Sequence, residues 1–102
     1  MFVVLWEFEV KPGSEIEFRS AYGPAGPWLQ LFRHDSSYLE TRLLHDPFRV
    51  QFYVTLDFWT SHGAYQSCQA FNRSEYQQID AICGTLTLTE RKLGEFDTPS
   101  GP

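Results

Sequence analysis

The stretch from Tyr53 to Gln69, YVTLDFWTSHGAYQSCQ, concentrates the side chains whose types could do chemistry. On an extended chain Tyr53, Thr55, Asp57 and Trp59 project from one face, because successive side chains alternate across a strand. Asp57, if buried there, is a candidate general base; its competing role is a salt bridge to Arg42 or Arg49 across a hairpin. Arg42 faces the same choice between ion pair and anion clamp. His62 lies one helical turn beyond Trp59 and is a candidate proton carrier, whereas His34 and His45 sit beside turn residues in unrelated elements. No two histidines have the spacing of a metal site, so no metal is expected. Trp6, Tyr22, Trp28, Trp59 and Tyr65 could wall a site for a flat ring, with Tyr53, Arg42, His62 and Asp57 as polar candidates. Plain core packing is the competing reading for each ring. The sequence contains no GxSxG, Walker loop, HExxH or dinucleotide fingerprint, which leaves nucleophilic hydrolysis, nucleotide chemistry and nicotinamide binding without support.

The elements that must position these residues can be read from periodicity. Phe2, Val4, Trp6, Phe8 and Val10 alternate with Val3, Leu5, Glu7 and Glu9, which predicts a first strand over 2–10, stopped by Pro12-Gly13. Ser14 followed by Glu17 has the form of a capping box and starts a helix carrying Ile16, Phe18 and Tyr22. Two glycines and two prolines then break the chain, as a pocket lid or a rigid kink, before a short helix over about 25–33. Tyr38–Asp46 and Arg49–Trp59 read as a second and third strand joined at Asp46-Pro47, and so as an antiparallel hairpin. On the third strand Val50, Phe52, Val54, Leu56 and Phe58 make an apolar face expected to be dry core, leaving the mixed face to line something. Thr60 or Ser61 caps the next helix, through Phe71. Asn72 with Glu75 makes another capping box, and Gly84 stands where a left-handed C-cap belongs. A fourth strand spans Leu86 to about Phe96. The order strand, helix, strand, strand, helix, strand predicts an α+β, ferredoxin-like fold with a four-stranded antiparallel sheet. One domain over 1–97 is expected, with 98–102 as a flexible tail.

Composition narrows the function classes. The 102 residues carry 42% hydrophobic and 17% aromatic side chains, enough apolar area for a core and too much for a disordered linker. A formal charge of -5, from 13 acidic and 8 basic residues, supplies no basic face for a nucleic-acid backbone. The N-terminal MFVVLWEFEV meets Glu7 and Glu9 too early for a signal peptide or membrane span. Cys68 and Cys83 read as core thiols in a reducing compartment, so a cytoplasmic protein is expected. Strand one is apolar on both faces over its first half, and helices cover only one sheet face in such a fold. A homodimer packed sheet against sheet is the expected cover.

The aromatic-ended strand, then Trp59-Thr60-Ser61 opening a helix that reads Ala64-Tyr65, resembles the antibiotic biosynthesis monooxygenase-like family of the dimeric alpha-beta barrel superfamily. Length and element order agree over nearly the whole chain. The resemblance implies a pocket between helices and sheet in each subunit, with Trp59 among its walls. It also implies cofactor-independent oxidation of a small aromatic or quinol compound; such chemistry needs a held ring, a proton acceptor and oxyanion stabilisation. On that basis Trp59, His62, Asp57 and Tyr53 are the expected catalytic residues. Trp6, Tyr22, Trp28, Arg42, Thr55 and Tyr65 are the expected substrate-binding ones. The sequence departs from the family at Thr55, where the oxygenase branch has Asn. It departs at Gln69 and Trp6 as well, where the haem-degrading branch has His and Asn, and haem degradation is disfavoured accordingly. A non-catalytic binding or structural dimer module, and a non-oxidative isomerase or cyclase, are the alternatives.

Overall fold

The computed structural model describes residues 1–99. Its elements run β1 (Phe2–Val10), α1 (Glu15–Ala21), α2 (Pro27–Phe32), β2 (Tyr38–His45), β3 (Phe52–Trp59), α3 (His62–Phe71), α4 (Arg73–Cys83), a 3-10 turn (Gly84–Leu86) and β4 (Thr87–Asp97). The four strands form one antiparallel sheet in the order β2-β3-β1-β4, which is the ferredoxin-like arrangement. All four helices lie on one face of that sheet. None is long and apolar enough to cross a membrane, among the described residues.

Register decides which side chains the helices cover. Phe2 pairs with Trp59, Val4 with Asp57, Trp6 with Thr55 and Phe8 with Tyr53. Since paired residues share a face, the aromatic side of β1 carries the mixed side of β3 with it under the helices. Tyr53, Thr55 and Trp59 are buried there, whereas Phe52, Val54, Leu56 and Phe58 lie half-buried on the open face. The expectation that the apolar face of β3 is the dry core of a single chain is therefore corrected. Phe2, Val4, Phe8, Val10, Phe18, Phe32, Tyr53 and Trp59 dominate the core that forms instead.

Local capping differs from expectation in three places. Ser14 makes no side-chain cap; the Glu15 carboxylate takes the Gly13 amide at 3.0 Å instead, and Gly13 has φ 91°. Ser61 does cap α3, its hydroxyl accepting from the Ala64 amide at 3.1 Å. Asn72 leaves α4 uncapped because its amide donates to the Cys68 carbonyl at 2.9 Å, serving the end of α3. Gly84 stays right-handed, φ -61°, and passes into the 3-10 turn. Strand β3 begins at Phe52 rather than Arg49, since Asp46 Oδ1 accepts from the amides of Phe48 and Arg49 at 2.8 and 3.0 Å and folds 46–51 into a wider turn. At the C-terminal end the Thr98 amide donates to the Met1 carbonyl at 2.8 Å, so the expected tail is tied down at its first residue. Positions 100–102 lie outside the described residues.

Candidate active site

A cavity of about 210 Å³ lies between the helices and the middle of the sheet. Its floor is Trp6 and Phe8 from β1, Thr55 and Asp57 from β3 and Thr41 from β2. Tyr22, at the end of α1, and Trp28, Leu29 and Phe32 of α2 form one wall. Tyr65 and Gln69 of α3 and Tyr76 of α4 form the other. Gln77 and Asp80 of α4 and Glu90 of β4 complete the lining. The short α2 can reach the sheet because Gly26 and Pro27 start it tightly: a Cβ at Gly26 would overlap the Ala21 carbonyl oxygen, and Pro27 occupies the first helical turn, where no amide is missed.

Asp57 is the chemically distinctive member. Its carboxylate is surrounded by protein except where it faces the cavity, and burial pushes its pKa up from the ordinary 3.8 to about 6. One hydrogen bond opposes that shift. The Thr41 hydroxyl donates to Asp57 Oδ1 at 2.6 Å and in turn accepts from the Tyr38 hydroxyl at 2.7 Å, which makes a chain Tyr38–Thr41–Asp57. Tyr65 is pushed up to about 12 by burial and by the nearby Glu95 and Asp57 charges, so its phenol stays protonated at neutral pH. Gln69 Nε2 donates to that hydroxyl at 2.8 Å and orients it. Tyr22 and Tyr76 are also raised by burial. Glu90 is raised by burial first and by the Asp80 charge second. Trp28 Nε1 and the Tyr76 hydroxyl are buried in the walls without a hydrogen-bond partner among the described residues.

Six of the ten residues expected from sequence meet around this cavity: Trp6, Tyr22, Trp28, Thr55, Asp57 and Tyr65. The other four stand elsewhere. Trp59 is 0% exposed and packed edge-on against Phe32 and Tyr38, with ring centroids 5.2 and 5.4 Å away, so it backs the wall instead of lining it. Tyr53 lies under α1, where Arg19 Nε donates to its hydroxyl at 2.8 Å and His45 stacks on its ring at 4.5 Å. His62 is exposed at the start of α3, 4.9 Å from the Phe2 ring and 3.7 Å from Glu95. Arg42 is on the opposite sheet face, beside Glu40 at 3.4 Å and over Phe58.

The expected salt bridge from Asp57 to Arg42 or Arg49 does not form. Arg42 pairs with Leu56 in register, one residue off Asp57's face, while Arg49 binds Asp46 and Glu7. Thr41, directly opposite Asp57 in the hairpin, is the partner that residue-type reasoning missed. The hairpin register, had it been known, would have found it. Asp80 and Glu90 were missed too, since nothing in their neighbouring sequence brings α4 and β4 together.

These features define a ferredoxin-like sheet with a ring-lined cavity under its helices, and solved structures share the fold. The chain has the fold of the antibiotic biosynthesis monooxygenases. SnoaB from Streptomyces nogalater, a cofactor-independent oxygenase, superposes with TM-score 0.78 at 20% identity over 98% of this chain and 94% of that one. A Deinococcus radiodurans protein carrying the antibiotic biosynthesis monooxygenase name on a provisional basis gives 0.76 at 14% identity, over 100% and 96%. One from Nitrosomonas europaea, named on the same basis, gives 0.73 at 11%, over 96% and 98%. No protein-family model matches the sequence, and no curated protein matches it.

Proposed function

We propose that this protein is a cofactor-independent monooxygenase-like enzyme that oxidises a small aromatic or quinol compound, with Asp57 as the proton acceptor. The observation that carries this reading is a carboxylate with pKa raised to about 6 facing a cavity walled by aromatic rings. A group of that pKa is ionised at neutral pH yet basic enough to accept a proton, which suits general-base work. A phenol or naphthol held between Trp6 and Trp28 gives up a proton to Asp57. The electron-rich anion passes one electron to dioxygen, the two radicals combine to a peroxide, and Asp57 returns the proton. Loss of water from the peroxide leaves a carbonyl on the ring: one oxygen atom enters the product and the other leaves as water, so no external reductant is consumed. Tyr65, whose hydroxyl accepts from Gln69, donates a hydrogen bond to the ring oxygen in this reading.

The open sheet face supports a homodimer. Leu44 and Phe96, 51% and 54% exposed, flank Val3, Leu5, Val54, Leu56 and Phe58 in one apolar surface, which a second copy would cover. Two free, buried cysteines fit the reducing cytoplasm.

Oxygen uptake with a panel of anthrones, naphthols and quinols tests the activity. Uptake with at least one of them, lost in Asp57→Asn, is expected. Binding of such rings without uptake would make the protein a ligand-binding module, and neither binding nor uptake would remove the aromatic reading.

A further inference from the structure

We infer that the cavity is built for an uncharged ring system of one or two fused rings and rejects ligands that carry a carboxylate. This rests on the reading of the cavity as an aromatic-binding site and adds the size and charge class of what enters it.

Size follows from volume. An apolar cavity of about 150 Å³ is known to hold a benzene molecule. At about 210 Å³ the present one has room for a bicyclic compound, and a third or fourth ring would have to extend past its rim.

Charge follows from the lining. Asp57 contributes a half-buried carboxylate and Asp80 and Glu90 two exposed ones, and among the described residues no lysine, arginine or histidine lines the cavity. Lys92 is a nearby cation, 5.4 Å from the Trp6 ring centroid and 6.0 Å from that of Tyr65, but its ammonium is bonded to Glu95 at 2.8 Å. Arg19, under the same helices, is committed to Tyr53. A carboxylate on a bound ring would thus meet the half-buried Asp57, where Coulomb repulsion is stronger than in water, and the exposed Asp80 and Glu90 at the rim, whose repulsion salt screens. Within the described lining it would find no cation to offset the loss of its hydration. A neutral hydroxyl avoids both penalties and can meet Asp57 or Tyr65.

The test compares 2-naphthol with 6-hydroxy-2-naphthoate, which differ by the carboxylate, using quenching of tryptophan fluorescence at neutral pH. The expected result is that the naphthoate binds at least about tenfold more weakly at low salt, a gap that added salt narrows but does not close. Asp80→Asn and Glu90→Gln should each narrow the ratio between the two ligands. The methyl ester of the naphthoate, of similar bulk but neutral, should bind close to 2-naphthol. Equal binding of naphthol and naphthoate, or an ester as weak as the acid, overturns charge rejection while leaving the aromatic site standing. Failure of every naphthol to bind overturns the aromatic site and this inference with it.

Discussion

Replacing Asp57 by Asn should make the protein more stable and less active, and the stability gain should depend on pH. In the folded chain the carboxyl holds its proton up to about 6, whereas in the unfolded chain it lets go near the ordinary 3.8. Between those values the folded state binds the extra proton, so stability falls as pH rises through the interval and the full penalty stands above about 6. At 1.36 kcal/mol per pH unit, the interval from 3.8 to about 6 corresponds to roughly 3 kcal/mol. Asn keeps an oxygen to accept from Thr41 and carries no charge to desolvate, so the variant escapes the penalty. Its melting temperature at pH 8 should exceed the wild type's by on the order of 10 °C, and the two should converge by about pH 4, where the wild-type carboxyl is protonated. Thermal unfolding followed by circular dichroism across that range measures it. A difference that stays constant with pH, or a variant less stable than wild type at pH 8, would refute a desolvated Asp57. Loss of oxygen uptake by about two to four orders of magnitude in the same variant would match removal of a general base.

Other perturbations test neighbouring parts of the argument. Thr41→Val removes the hydroxyl that donates to Asp57, so the carboxyl should rise further and the acid limb of the pH–rate profile should move up by about one pH unit, with Thr41→Ser restoring it. An NMR titration of the Asp57 carboxyl carbon reads the same change without turnover. Gly26→Ala drives a methyl group into the Ala21 carbonyl oxygen and should cost about 3 kcal/mol or more in urea unfolding, since the α1–α2 corner cannot spread without unseating Trp28. Leu44→Asp places a charge within the proposed interface, on the edge strand β2, at a position already 51% exposed in the single chain. Sedimentation should then show an 11.9 kDa species where the wild type runs at twice that mass, and a wild type that is itself monomeric would refute the dimer.

Much of the fold was legible because its signals are local. Period-two alternation marks β1, Gly13 and Ser61 punctuate the chain where positive φ and an N-cap are needed, and Pro27 opens α2. Three of the capping expectations failed for one reason: Ser14, Asn72 and Gly84 have the right residue type, but a competing partner or the following turn claimed the backbone around them. The site was half legible. Aromatic abundance announced a ring-lined cavity, yet Trp59, at the strand end, was drawn into the wall by Phe32 and Tyr38, and Tyr53 was covered by α1.

Sequence by itself settled the element order, the strand periodicity and the stock of rings and acids from which a site could be made. Tertiary structure alone decided which β3 face went under the helices, because a slip of one residue in register would exchange the two faces. It also decided the chemistry of Asp57: an aspartate's pKa depends on the water excluded around it, and that exclusion comes from α2, α3 and α4 closing over the sheet. Asp80 and Glu90 meet for the same reason, since the relative placement of α4 and β4 is set by packing and not by the residues on either side of them.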